Sequence, residues 1–150
     1  MKKLLITGAS GFIGRHVVEE LASRSEYDIT AVVSGRKEIS FPENVRIEKA
    51  DLLDPETIDN LIGKVQPELC CHFAWALNAS GFKTSPLNLQ WLEASIRILR
   101  LFVKNGGKKF LFAGSSSEYT VKSGVSEERT PPLKLHISQY MGTPSLCLNK

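Results

Sequence analysis

Residues 7–14 read Thr-Gly-Ala-Ser-Gly-Phe-Ile-Gly and stand between a short apolar run and the segment Phe12–Arg24, whose apolar side chains recur at helical spacing. Gly8 permits a sharp strand-to-helix turn, Gly11 lets a ligand approach the backbone, and Gly14 lets the helix pack closely on the strand. The free N–H groups at the start of such a helix attract phosphate. The stretch therefore predicts a site for the pyrophosphate of a dinucleotide, and a plain glycine turn is the alternative.

Strand and helix signals alternate along most of the chain. This order predicts an α/β fold, a Rossmann-like doubly wound parallel sheet with helices on both faces. Residues 1–120 are expected to form this NAD(P)-binding domain, and residues 121–150 an irregular C-terminal segment, because the pattern degrades there. Strands are predicted over Lys3–Thr7, Ile29–Val33, Val45–Glu48, Leu69–Ala74 and Lys109–Ala113, and helices over Phe12–Arg24, Pro55–Lys64 and Leu87–Asn105.

Composition excludes several classes of protein. With 42% hydrophobic and 23% charged residues, the 150-residue chain has the balance of one soluble globular domain. The net charge of +3 is spread along the chain, which argues against a nucleic-acid surface. No apolar run approaches the ~18 residues of a membrane helix, and Gly8 interrupts the N-terminal run too early for a signal peptide. Cys70, Cys71 and Cys147 have no framework or metal-ligand spacing, so we expect reduced thiols, a cytoplasmic location and no metal.

Cofactor choice depends on the end of the second predicted strand. An acidic side chain at that point holds the ribose hydroxyls of NAD. Here the strand is followed by Ser34-Gly35-Arg36-Lys37, with two cations and no carboxylate. Ser34 and Arg36 are suited to a 2′-phosphate, which slightly favours NADP over NAD. The alternative is that Arg36 and Lys37 are an exposed loop pair.

Five segments in combination resemble a known family. They are Thr7–Gly14, Asp51-Leu52, Cys71–Trp75, Asn88–Ser95 and Phe112–Tyr119. Their motifs are similar to those of the extended short-chain dehydrogenase/reductase family, and within it to the NAD(P)-dependent epimerase/dehydratases of nucleotide sugars. The resemblance covers about residues 1 to 120.

The resemblance implies further cofactor contacts. Asp51 would contact the adenine, and Ala74 would line the nicotinamide side. Trp75 flanks the substrate or, more simply, packs after a buried strand. The complete set of expected cofactor-binding residues is Gly8, Ser10, Gly11, Phe12, Ile13, Gly14, Ser34, Arg36, Asp51, Leu52 and Ala74.

The catalytic residues implied by the resemblance are Ser116, with Ser117 as the neighbouring register, and Tyr140. The family pattern is Tyr-x-x-x-Lys, but Pro144 stands where the lysine belongs. A phenol with a pKa of about 10 and no neighbouring cation is a poor base at neutral pH. We therefore expect an altered or truncated chain that lacks the substrate-binding half, binds cofactor weakly and turns over nothing.

Two functions remain open at this point. The first is the cofactor-binding portion of a nucleotide-sugar epimerase, dehydratase or reductase that acts by hydride transfer. The second is a non-catalytic dinucleotide-sensing regulatory module, which needs no lysine at position 144. The expected partners are a nucleotide-sugar and a second copy of the chain. Trp91, Ile98 and Phe102 are expected on a face of the long helix beyond its core stripe, as a dimer surface or as the floor for the missing half. The core stripe consists of Leu92, Ile96, Leu99 and Val103.

Overall fold

The computed structural model describes residues 1–36, 39–76 and 85–114. Within these residues, strands and helices follow one another as the sequence predicts. In chain order they are β1 (Lys2–Thr7), α1 (Phe12–Ala22), β2 (Tyr27–Val33), β3 (Val45–Lys49), α2 (Pro55–Val65), β4 (Leu69–His72), α3 (Leu87–Lys104) and β5 (Lys109–Phe112).

The five strands form one parallel sheet in the order β3-β2-β1-β4-β5. Alternate side chains of each strand face opposite sides of the sheet. Leu5 and Cys70 face α2 and α3, whereas Leu4 and Ile29 face α1. The half-buried Cys71 packs on the α1 side, opposite Cys70. The doubly wound α/β prediction is therefore confirmed.

Residues close in sequence determine where α2 begins and where α3 ends. The Asp54 carboxylate accepts the N–H groups of Glu56 at 3.1 Å and Thr57 at 3.3 Å, and Pro55 occupies the first helical position, which needs no N–H donor. Gly106 follows α3 with a φ of +84°, the left-handed conformation that ends helices.

The orientation of α3 corrects one prediction. We expected Trp91, Ile98 and Phe102 to lie on a face beyond the core stripe, as a dimer surface or as the floor for a missing half. Instead Ile98 and Phe102 are buried in the core, and Trp91 packs against it. The reason is that the small side chains of Ala94 and Ser95 lie on that face and let the helix approach the sheet. The exposed large apolar side chains of α3 are Leu89, Ile96 and Val103, so two members of the expected core stripe face outward instead.

Candidate dinucleotide site at the carboxyl edge of the sheet

The carboxyl ends of all five parallel strands meet along one edge of the sheet. This edge carries the glycine loop after β1, residues 34–36 after β2, Asp51 and Leu52 after β3, and Ala74 after β4. The strand order reverses beside β1, which lies between β2 and β4. Open α/β sheets bind ligands at such a reversal point. Segments far apart in the sequence are thus gathered where a dinucleotide is expected.

The Gly8 turn lies against the backbone at the end of β4. Gly8 has a φ of +67°, a left-handed conformation that favours glycine. A Cβ atom added there would stand 2.7 Å from the Ala74 nitrogen and 2.7 Å from the Phe73 carbonyl carbon. Neither backbone atom can move aside as the tip of a flexible side chain can. Conformation and space therefore both restrict this position to glycine.

Gly14 lies in the first turn of α1 and touches the same loop. An added Cβ would overlap the Gly8 carbonyl oxygen and stand 2.9 Å from the Ala9 Cα. The Ala9 N–H in turn donates to the Val32 carbonyl of β2 at 3.2 Å. The loop is therefore packed between the start of α1 and the ends of its neighbouring strands.

The start of α1 presents its N–H groups without a capping side chain. Gly11 occupies the cap position, and the first turn contains no acidic residue. Phe12 is 83% exposed and Ile13 is 55% exposed, while Ser10 in the preceding turn is half-buried. A helix N-terminus carries a partial positive charge and unpaired N–H donors. This end of the loop therefore has the chemistry of a phosphate site.

The first residues after β2 are exposed and include one cation, Arg36. Ser34, Gly35 and Arg36 are all exposed, and Gly35 has a φ of +74°. The nearest atom to a Cβ added at Gly35 would be the Lys49 Cδ, at 3.7 Å. Sequence analysis missed Lys49, because only the pairing of β3 with β2, Lys49 opposite Val33, brings it to this loop. Lys37, the other predicted cation, lies outside the described residues.

Asp51 and Leu52 follow β3 and differ in exposure. The exposed Asp51 carboxylate accepts the Leu53 N–H at 3.0 Å, which fixes a tight turn. Leu52 is buried in the core beside α2 and α3. Asp51 thus lies exposed at the carboxyl edge of the sheet, whereas the buried side chain of Leu52 fixes the turn to the core.

A polar chain of contacts runs beneath the loop. The Thr7 Oγ1 and His72 Nδ1 atoms lie 2.6 Å apart, and the His72 Nε2 lies 2.9 Å from the Ser95 Oγ. All three side chains are buried. Burial lowers the pKa of His72 to about 4, because the interior disfavours the charged ring. The only sign of this cluster in the sequence is His72, a polar residue in an otherwise apolar predicted strand.

The residues after β4 pack on α3. The Trp75 Nε1–H donates to the Asn88 Oδ1 at 3.2 Å, and the Trp75 and Trp91 ring centroids are 6.3 Å apart. Asn88 is buried. These contacts favour the packing role for Trp75. Ala74 itself is buried against the glycine loop.

The predicted catalytic residues Ser116 and Tyr140 lie outside the described residues, as do Ser117 and Pro144. In the described ranges, no group of three or more His, Cys, Asp or Glu side chains is placed to hold a metal ion. Within the same ranges, no helix is long and apolar enough to cross a bilayer.

Known structures share this fold. The chain aligns with the UDP-Glc/GlcNAc 4-epimerase of Campylobacter jejuni at a TM-score of 0.78 and 19% identity, over 90% of this chain and 44% of that one. The Thermus thermophilus UDP-glucose 4-epimerase, solved in complex with NAD, aligns at a TM-score of 0.73 and 25% identity, over 87% and 44%. Both therefore share the fold of this chain over the aligned part.

Sequence comparison identifies the family. Residues 4–142 match the NAD dependent epimerase/dehydratase family. Mouse UDP-glucose 4-epimerase is 30% identical over 135 residues, which are 79% of this chain and 39% of the mouse enzyme. The chain therefore belongs to the NAD dependent epimerase/dehydratase family, a family of enzymes, as the resemblance implied. It spans less than half the length of each of these three relatives.

Proposed function

We propose that the chain binds NAD or NADP and is the cofactor-binding portion of a nucleotide-sugar epimerase, dehydratase or reductase. The observation that carries this proposal is the loop from Gly8 to Gly14. It holds uncapped helix N–H groups at the strand-order reversal, and its glycines pack so closely that no Cβ fits at either end. The Thermus thermophilus relative solved with NAD supports the choice of ligand.

We propose that NADP is slightly favoured over NAD. Ser34 and Arg36 are exposed after β2, residues 34–37 include no acidic side chain, and Lys49 adds a second cation beside Gly35. A ribose 2′-phosphate placed there would meet two cations and a hydroxyl donor. Asp51 is then proposed to contact the adenine from the end of β3.

The proposed chemistry is hydride exchange at a sugar carbon, which a bound nicotinamide supplies. Tyr140 would take the substrate hydroxyl proton, and the Ser116 hydroxyl would orient the same oxygen. Position 144 holds proline instead of the lysine that assists the tyrosine in the family pattern. We propose that this 150-residue chain therefore binds the dinucleotide weakly and performs no turnover.

Intrinsic fluorescence offers a direct test, because both tryptophans, Trp75 and Trp91, lie after β4 or on the helix beside it. Titration with NADP and with NAD should change the emission, with slightly tighter binding of NADP. Calorimetry with neither heat nor saturation would overturn the binding proposal. Mixing the chain with cofactor and a panel of nucleotide-sugars should give neither a change in nicotinamide absorbance nor an altered sugar by chromatography. Either result would overturn the inactivity, and the chromatography is needed because an epimerase returns the hydride and leaves the absorbance unchanged.

Pro144 favours a second candidate, a non-catalytic dinucleotide-sensing module. Such a module needs the glycine loop but neither a tyrosine nor a lysine. The genomic reading frame distinguishes the two: an open frame that continues past residue 150 and encodes Tyr-x-x-x-Lys supports the enzyme. A frame without that motif supports the sensor.

We also propose how the chain is organised. Residues 1–120 would form the cofactor domain of a cytoplasmic protein, and limited proteolysis should leave a fragment of about that size that still binds the dinucleotide. A homodimer would use the exposed stripe of α3, made of Leu89, Ile96 and Val103. Sedimentation of Val103→Glu should then show a shift from dimer to monomer, and unchanged sedimentation would exclude this face.

A further inference from the structure

One hydrogen-bonded chain crosses the sheet interior from α3 to the glycine loop. It begins at Trp91, whose carbonyl accepts the Ser95 hydroxyl at 2.7 Å, and continues through the His72 ring to Thr7. The Thr7 Oγ1 also accepts the Ala74 N–H at 3.4 Å. Elements distant in sequence, α3, β4 and β1, are thereby connected by side chains.

Counting donors fixes the direction of this chain. Ser95 has one hydroxyl proton, which goes to the Trp91 carbonyl, so its oxygen must accept a proton from His72 Nε2. A neutral imidazole carries only one N–H, so Nδ1 must accept the Thr7 hydroxyl. The Thr7 oxygen is then left as the acceptor for Ala74. Every polar atom in the chain is satisfied in this order. A ring protonated on Nδ1 would instead leave an unprotonated Nε2 facing the Ser95 oxygen, whose only proton is already donated to the Trp91 carbonyl.

The last bond lies at the pyrophosphate end of the site. Thr7 directly precedes Gly8, and Ala74 is the residue whose nitrogen and Cα a Cβ at Gly8 would meet, at 2.7 and 2.9 Å. The bond between Thr7 and Ala74 therefore holds together the two segments that define the Gly8 turn. A shift of a few tenths of an ångström there would move the loop against its neighbour.

We propose that His72, as the neutral Nε2–H tautomer, is a positioning residue for the dinucleotide loop. It orients the Thr7 hydroxyl so that the Thr7 oxygen holds Ala74 beside Gly8, and cofactor affinity depends on that orientation. This inference rests on the proposed binding of a dinucleotide. Burial of the ring, which keeps it neutral near pH 7, supports it.

Nitrogen-15 NMR of the histidine ring tests the tautomer without any cofactor. In the chain as it stands, the ring of His72 should show a protonated Nε2 and an unprotonated Nδ1 between pH 6 and 8. The opposite tautomer, or a fast mixture of both, would contradict the donor order and with it the proposal.

Cofactor affinity tests the positioning role. Thr7→Val keeps the shape but removes the hydroxyl, and we expect it to weaken NADP binding about tenfold. Thr7→Ser restores the hydroxyl and should recover most of the affinity. The matched control is Thr30→Val, because Thr30 is equally buried in the adjacent strand and its hydroxyl has no partner among the described residues. Thr30→Val should leave the affinity unchanged.

The outcomes separate the inference from the proposed function. If the unchanged chain binds no dinucleotide, the proposed function fails and the positioning role falls with it. If the chain binds but Thr7→Val binds equally well, or Thr7→Ser fails to recover affinity, only the positioning role is overturned. Should Thr7→Val not fold, Ser95→Ala at the far end of the chain is expected to give about a threefold loss of affinity and a mixed tautomer. Normal affinity in that variant would equally reject the proposal.

Discussion

Gly8 and Gly35 make the same demand on the backbone but stand in different surroundings. Their φ angles are +67° and +74°, and each ends a central strand at the carboxyl edge of the sheet. A Cβ at Gly8 would meet the backbone just after β4 at 2.7 Å, whereas a Cβ at Gly35 would meet only the Lys49 side chain at 3.7 Å. The pyrophosphate end of the proposed site is therefore fixed by backbone packing. The adenosine end is an exposed loop, where a substitution can change cofactor selectivity without disturbing the packing.

Substitution of these two glycines gives the sharpest test of that difference. Gly8→Ala should lower the free energy of unfolding by about 4 kcal/mol or abolish folding, because backbone overlap adds to the left-handed strain. Gly35→Ala should cost only about 1 kcal/mol, the strain alone. Urea unfolding followed by circular dichroism measures both. Similar losses in the two variants would mean that packing does not distinguish the two ends.

A second pair of glycines tests the effect of close packing alone, because neither has a positive φ. Gly14 and Gly63 both lie inside helices, α1 and α2, but a Cβ at Gly63 meets nothing within 4 Å. We expect Gly14→Ala to destabilise the fold by about 3 kcal/mol through overlap with the Gly8 turn. Gly63→Ala should stabilise it by about 0.5–1 kcal/mol, since alanine is the better helix former. If Gly14→Ala is as stable as the unchanged chain, the glycine loop can shift to accommodate the added Cβ, and the packing argument is rejected.

The buried His72 ring should also make the free energy of unfolding depend on pH. Burial lowers the pKa of His72 from 6.5 to about 4 in the folded state, so between these values the unfolded chain binds a proton that the folded chain does not. Stability is therefore highest above pH 6.5 and falls as the pH drops, by about 2 kcal/mol between pH 7 and pH 5. Urea unfolding at pH 7, 6 and 5 measures this loss.

The pH test needs a variant without the ring. Most carboxylates stay ionised down to about pH 5, so His72 is expected to dominate the slope in this range. His72→Asn should be less stable at pH 7 and should lose most of the slope. An unchanged slope in His72→Asn would assign the pH dependence to another group and leave the buried ring without a role in acid stability.

Much of the fold follows from local signals in the sequence. The glycine loop, the order of the strands and helices, and the start of α2 after Asp54 are each set by residues close together in the chain, and all of them agree with the structure. Fold class is predictable for the same reason, since alternating strands and helices leave few topologies open.

Features that depend on register or rotation were not predictable. The prediction of which face of α3 is buried was wrong, because two apolar stripes run along this helix. Only the small side chains of Ala94 and Ser95 decide which stripe approaches the sheet. The Thr7–His72 contact depends on the alignment of β1 with β4, which alternation within either strand does not fix. Lys49 reached the Gly35 loop through a similar pairing between strands.

The smallest expected effects concern selectivity at the adenosine end. Arg36→Ser should weaken NADP binding about fivefold and leave NAD binding within about twofold, because an exposed cation contributes modestly and only to the 2′-phosphate. Arg24→Ser is the control, since Arg24 follows the far end of α1 and pairs with Glu20. Equal losses for both dinucleotides would reject the role of Arg36.

The ratio of the two affinities isolates this end of the site. Both dinucleotides carry the same pyrophosphate, so a loop disturbed at Thr7 should weaken NAD and NADP equally and leave their ratio unchanged. Arg36→Ser should change the ratio, and Lys49→Ser should change it in the same direction by a smaller factor, because Lys49 reaches the loop from the neighbouring strand. A ratio that moves with Thr7 and not with Arg36 would mean that the packed end, rather than the exposed one, selects the cofactor.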